Sequence, residues 1–240
     1  CLTRHVVCAP NYFFKVLLPL QNKPLSTYQQ DWLGIKHLRL QKHELYLKEI
    51  PFSDFLVFSQ LFKALPNNIQ LQLSNSSTIR YGQLFEMNQS HAIFCNRGTS
   101  GIDGSTSTAI GAAYAGTSPT VFITGDLSFF YDSNALWNQY IARDFKIIII
   151  NNSGGGIFRI LPDAKQVPSF STFFETKHQL TASQLSDMHG FGYQSANDMP
   201  TLKTQLASFF ENSETPQILE IFTPSDINET ILLSYFDYIK

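Results

Sequence analysis

Three cysteines in 240 residues (Cys1, Cys8 and Cys95) are few, odd in number and not in Cys-x-x-Cys spacing. A disulfide framework or a thiolate zinc site is therefore not expected, and a reducing cytoplasm is the default compartment. No apolar run approaches the roughly 20 residues of a membrane span, and the opening "CLTRHVV" lacks the apolar core of a signal peptide. A net charge of -2 gives no electrostatic footprint for nucleic acid. There is no Gly-x-x-x-x-Gly-Lys-Ser/Thr segment. "GTSGIDG" spaces its glycines at three and three, not as Gly-x-Gly-x-x-Gly, so mononucleotide and dinucleotide loops both fit poorly. Internal repeats and low-complexity tracts are absent. Arginine is scarce as well, at six of 17 cationic residues.

What is present is enough apolar sequence, 43%, for one large core or for one domain plus part of another. The chain begins at Cys1 and enters a strand-like "RHVVCAP" with no start signal. The expectation is a fragment whose N-terminal part is missing, with a trimmed terminus or expression scar as the alternative. Residues 1–42, with "PLQNKPLSTYQQ", read as the end of a preceding domain and a linker, and residues 43–240 as the main domain. From Phe52 the pattern alternates. "FLVFSQLFKAL", "TIRYGQLFE", "STSTAIGAAYA", "SNALWNQYIAR", Ala182 to His189, Thr201 to Phe210 and the C-terminus predict helices. "IQLQLSN", "HAIFCN", "TVFITG", "FKIIIINN" and "QILEIF" predict strands. The expected fold class is α/β, a doubly wound parallel sheet with helices on both faces. Ile147 to Ile150, β-branched without polar alternation, suit a strand buried on both faces.

Three strand ends carry unusual residues. "HAIFCN" leads into "RGTSGIDG", "TVFIT" into "GDLS", and "KIIII" into "NNSGGG". Ligands in such sheets sit beyond the carboxyl ends of the strands. A carboxylate at Asp126, an amide oxygen at Asn152 and the backbone around Gly154 are hard oxygen ligands of the kind Mg²⁺ takes alongside substrate phosphates. Gly125 and Ser128 flank Asp126 where a helix begins, so free N–H groups and a hydroxyl could face an anion. A diphosphate held through Mg²⁺ fits this inventory. Asp126 as a simple N-cap, and "NNSGGG" as a polar turn with asparagine and glycine in left-handed conformations, are the structural alternatives.

Gly125-Asp126 followed by Asn151-Asn152 resembles the thiamine-diphosphate motif Gly-Asp-Gly with Asn-Asn some two dozen residues on. Here 23 residues separate Leu127 from Asn151, and Leu127 replaces the second glycine. "NRGTSGIDG" at 96–104, "GDLSFFYDSNAL" at 125–136 and "NNSGGGIFRILP" at 151–162, with a looser "SNSSTIR" at 74–80, resemble the 2-succinyl-5-enolpyruvyl-6-hydroxy-3-cyclohexene-1-carboxylate synthase family of menaquinone biosynthesis. The likeness runs from about Phe52 to the end and marks the chain as the C-terminal portion of such an enzyme. It implies a thiamine-diphosphate-dependent transferase, with Mg²⁺ or Mn²⁺. The enzyme would decarboxylate 2-oxoglutarate and add the succinyl carbanion equivalent to isochorismate, as a homodimer or homotetramer with the site shared between chains. The family's catalytic glutamate lies in its first domain, and no position here inherits it, so this chain alone is expected to be inactive.

By the same resemblance Asp126, the Asn152 side chain and the Gly154 carbonyl ligate the metal, while Asn151 braces the turn. Ser128 with the backbone of Gly125 and Leu127 meets the diphosphate, and Ile102 holds the cofactor bent. Ile157, Phe158 and Leu161 line the cofactor and substrate pocket, or form an ordinary amphipathic turn. Ser76, Arg80 and Arg97 face the substrate carboxylates, which guanidinium groups bind in bidentate fashion, or the arginines are simply surface residues. His91, His178 and His189 show no ligand spacing and receive no role. Another thiamine-diphosphate carboligase, acetolactate-synthase-like, and a non-catalytic phosphate-binding module are the alternatives.

Overall fold

A computed structural model describes residues 3–21, 25–161 and 166–240. Cys1 and Pro162, the end of the third motif, lie outside them. The chain divides into two compact units, Cys1–Gln41 and Lys42–Lys240. The first contains helix α1 (Pro10–Leu20) and the opening of α2 (Tyr28–Glu49). "RHVVCAP" forms no strand, since residues 3–9 lack regular structure. Pro10 instead starts α1, where its missing N–H costs no helical bond. The stretch read as a linker is helical from Tyr28, in keeping with its leucine, glutamine and lysine content.

The second unit is built on a six-stranded, wholly parallel sheet. Its strands are β1 (Gln70–Leu73), β2 (Ala92–Cys95), β3 (Thr120–Gly125), β4 (Lys146–Asn151), β5 (Gly192–Ala196) and β6 (Gln217–Phe222). They lie in the order β2-β1-β3-β4-β6-β5. The connecting helices are α3 (Asp54–Ala64), α4 (Ser77–Gly82), α5 (Ser105–Ala115), α6 (Asp126–Tyr131), α7 (Ser183–His189), α8 (Met199–Phe209) and α9 (Asn228–Tyr238).

The isoleucine run of β4 shows why the sheet is covered twice. Ile148 and Ile150 join Leu71, Val121 and Leu219 in a core with Phe55, Phe58, Leu202 and Ile231 from α3, α8 and α9. Ile147 and Ile149 point the other way, to Ala109, Ile110, Phe129 and Phe191 beside α5 and α6. Successive side chains of a strand take opposite faces, so a strand apolar at every position needs helices on both. The fold is the expected doubly wound α/β sheet. Among the described residues no helix is long and apolar enough to cross a membrane.

Within the second unit, two segments also depart from the sequence reading. "SNALWNQYIAR" makes only a 3-10 turn, Ser133–Trp137. The Asn138 amide explains the stop: Nδ2 donates to the Ala135 carbonyl (2.6 Å) and Oδ1 accepts from Tyr140 N–H (2.9 Å), replacing helical bonds with local ones. Strand β5, "GYQSA", has little apolar signal because it is an edge strand with a single buried residue.

Candidate functional site

The strand order reverses at β1, whose successor β2 lies on one side and β3 on the other, which leaves a crevice beyond the strand ends. A cavity of about 440 Å³ lies there. The loops after β1, β3 and β4 all reach it, as does the Ser100–Ile102 segment after β2. Of the expected site residues, Ser76, Arg80, Ile102, Gly125, Asp126 and Leu127 line it, and so do Ser128, Asn152, Gly154, Ile157, Phe158 and Leu161. Arg97 does not.

Asp126 opens α6 and is 3% exposed. Its Oδ1 accepts from the Leu127 N–H (2.6 Å) and its Oδ2 from the Gly154 N–H (3.0 Å), so the carboxylate is held from two sides. Gly154 sits at φ +144°, and a Cβ there would lie 2.5 Å from the Glu175 carbonyl oxygen. Only glycine serves at that point. The neighbouring Gly155 N–H donates to that same carbonyl (2.6 Å). Asn151 points away from the cavity into the fold. Its Oδ1 accepts from Ser153 N–H, and its Nδ2 donates to Glu220 and to the Leu180 carbonyl.

Asn152 is different. Its Nδ2 donates to Asp54 Oδ2 at 2.8 Å, while its Oδ1 is buried with no hydrogen-bond partner. An orphaned buried acceptor costs about 1–3 kcal/mol. Lying in the same cavity as Asp126, it fits a cation ligand. Two buried carboxylates, Asp54 (2% exposed) and Asp126, face this region. Burial pushes the Asp54 carboxyl up to about 6, and the Asp126 charge adds to this, against the hydrogen bonds from Thr223, Asn152 and Asn228. A bound cation would relieve the same repulsion. Among the described residues no group of three His, Cys, Asp or Glu side chains could hold a metal. The oxygens in the cavity that could hold a cation are instead the Asp126 carboxylate and the Asn152 amide oxygen, hard donors of the kind Mg²⁺ or Mn²⁺ takes.

Of the two candidate arginines, Arg80 lines the cavity and Arg97 lies outside its lining. Arg80 is exposed, with Nη1 donating to the Ser76 carbonyl at 2.9 Å. Arg97 is exposed and reaches the wall only through Asn75: its Nη1 donates to Asn75 Oδ1 (3.1 Å), and Asn75 Nδ2 donates to the Ser100 carbonyl (2.5 Å). Ser128 Oγ donates to the Ile102 carbonyl (2.5 Å), which ties the start of α6 to the Ile102 loop. The loops themselves are strained. Ser76 (φ 76°), Ser100 (φ 60°) and Ser153 (φ 65°) adopt positive φ without being glycine, a cost of order 1–3 kcal/mol each that tends to collect at functional sites.

Sequence reasoning missed four contributors. Asp54, just before the helix read as "FLVFSQLFKAL", received no role. His178, given no role, has Nε2 buried 3.2 Å from Asp126 Oδ2, near enough for an ion pair but without hydrogen-bond alignment. Its Nδ1 accepts from Leu180 N–H (3.1 Å), so the neutral ring carries its proton on Nε2. Asn75 and Glu175 act through contacts far along the chain, which spacing does not reveal.

Residues 76–221 match the family described as thiamine pyrophosphate enzyme, C-terminal TPP binding domain, and the chain belongs to that family. Among named relatives it is 54% identical over 235 residues to the 2-succinyl-5-enolpyruvyl-6-hydroxy-3-cyclohexene-1-carboxylate synthase of Flavobacterium johnsoniae, covering 98% of this chain and 42% of that protein. The synthase of the same name from Porphyromonas gingivalis is 37% identical over 252 residues, covering 100% of this chain and 43% of that protein. The chain thus spans less than half the length of these relatives. The benzoylformate decarboxylase of Polynucleobacter necessarius shares the fold, with a TM-score of 0.58 and 16% identity over 75% of this chain and 34% of that one.

Proposed function

We propose that the chain supplies the diphosphate and metal half of a 2-succinyl-5-enolpyruvyl-6-hydroxy-3-cyclohexene-1-carboxylate synthase, acting in menaquinone biosynthesis on 2-oxoglutarate and isochorismate. The observation that carries the metal assignment is the buried, unpartnered Oδ1 of Asn152 in one cavity with Asp126. In this reading Asp126, Asn152 Oδ1 and the Gly154 carbonyl hold Mg²⁺ or Mn²⁺. The remaining N–H groups at the start of α6 would take the diphosphate, joined by the Ser128 hydroxyl if it turns from the Ile102 carbonyl on binding. Thiamine diphosphate, when bound, supplies the electron sink for decarboxylation and carbon–carbon bond formation.

The chain's own residues bind, orient and exclude water. Ile102, braced by Ser128, presses on the cofactor, and Ile157 and Phe158 give the pocket an apolar wall. Ser76, Arg80 and Arg97 orient the substrate carboxylates. The protein works in the cytoplasm as a homodimer or homotetramer whose subunits share the site.

The test is calorimetric titration of a full-length synthase carrying this chain with thiamine diphosphate, with Mg²⁺ present or chelated, alongside an assay of 2-oxoglutarate consumption with isochorismate. Tight binding that needs the cation is expected. Binding indifferent to chelation would overturn the metal assignment, and turnover of 2-oxoglutarate with a different acceptor would overturn the substrate assignment.

A further inference from the structure

An amide side chain has two ends of similar shape and opposite character. If Asn152 is a ligand, something must decide that its oxygen and not its NH₂ faces the cation. We propose that Asp54 is the positioning residue that makes this choice, an inference that rests on the metal reading above. A carboxylate accepts hydrogen bonds but does not donate, so it selects the NH₂ end of its neighbour. Asp54 Oδ2 takes that end at 2.8 Å, and a flipped amide would set oxygen against oxygen. The unpartnered Oδ1 is the consequence of this choice.

Asp54 is itself held from two directions. The Thr223 hydroxyl donates to Oδ1 at 2.5 Å, and the Asp54 N–H donates to Asn228 Oδ1 at 2.9 Å. Asn228 Nδ2 in turn donates to the Pro224 carbonyl at 2.9 Å. The starts of α3 and α9 and the end of β6 therefore converge beneath one side chain at the end of β4. Partners that orient metal ligands commonly carry 10–100-fold in metal affinity.

The experiment is Mn²⁺ binding to the full-length enzyme followed by electron paramagnetic resonance at mildly alkaline pH, with thiamine diphosphate present. Variants are D54N, D54A, N152D, the exchange variant D54N/N152D, and D126A. D54N keeps the shape. With Thr223 donating to its oxygen, however, the new amide turns NH₂ toward Asn152 and favours the flipped state. D54N is expected to weaken Mn²⁺ at least about tenfold with melting temperature little changed.

N152D makes orientation irrelevant, because both ends are oxygen. The exchange variant, which conserves charge and shape, is therefore expected to regain near wild-type affinity. An unchanged affinity in D54N, or an equal loss on changing Asp54 in the Asn152 and N152D backgrounds, overturns the proposal. D54A gives the same comparison should D54N fold poorly. An unaltered Mn²⁺ affinity in D126A overturns the metal reading, and this inference falls with it. Loss in D126A without loss in D54N leaves the metal reading standing and overturns the inference alone.

Discussion

The two walls of the cavity are built on opposite plans. At the ends of β3 and β4, Asp126 and Asn152 are pinned by short bonds to the backbone and to a buried carboxylate. At the ends of β1 and β2, Arg80 and Arg97 are exposed and lean on a carbonyl and an amide. The first wall has paid its ordering entropy in advance, which favours tight binding of a small, geometrically demanding cation. The second keeps long, mobile side chains for larger anionic groups, where a guanidinium gains its bidentate bonds only when the carboxylate arrives.

The largest effect should come from the rigid wall. Asp126→Ala is expected to abolish cation-dependent thiamine diphosphate binding while circular dichroism stays native. Retained affinity in calorimetry would erase the contrast between the walls. Gly154→Ala adds a Cβ against the Glu175 carbonyl at a φ of +144°. We expect a loss of about 3 kcal/mol, or roughly 6–12 °C in melting temperature, together with weakened cation binding. A thermal melt matching wild type would mean the loop is not rigid.

At the open side, Arg80→Ala and Arg97→Ala in the full-length enzyme should each cost roughly 10–150-fold in kcat/KM, from about 1.5–3 kcal/mol per charge-assisted bond, with thiamine diphosphate affinity intact. Wild-type kinetics in both would make these arginines ordinary surface residues. The smallest effect sharpens the strain argument. Ser153→Gly removes a left-handed penalty of about 1–2 kcal/mol and returns part of it as glycine entropy. The protein should gain about 1 kcal/mol or less, and a lower melting temperature would show that Ser153 is not strained.

The sequence made the rigid wall legible residue by residue because its motif is local. Asp126 begins a helix directly after an apolar strand, and Asn152 follows four isoleucines, so strand ends and polar groups coincide in one short window. The alternating strands and helices were readable for the same reason, apart from β5, whose edge position leaves "GYQSA" without an apolar signature, and "SNALWNQYIAR", read as a helix but only a 3-10 turn. What stayed hidden is long-range. Asp54 meets a side chain 98 positions away, and His178 meets Asp126 across the sheet. Neither pairing leaves a spacing to read. Arg97 was placed at a strand end correctly, but whether a flexible guanidinium enters the cavity or rests on Asn75 is decided by contacts, not by position.

The hydrogen bonds beneath Asn152 also bear on how this protein can be dissected. The stretch that matches the thiamine pyrophosphate family runs from residue 76 to residue 221, yet Asp54, Thr223 and Asn228 all fall outside it. An expression piece trimmed to those limits would keep the three long motifs and lose the scaffold that orients one of their residues. It would also discard α3 and α9, leaving one face of the sheet without Phe55, Phe58 and Ile231. Cloning boundaries should therefore begin before Asp54 and extend past Asn228.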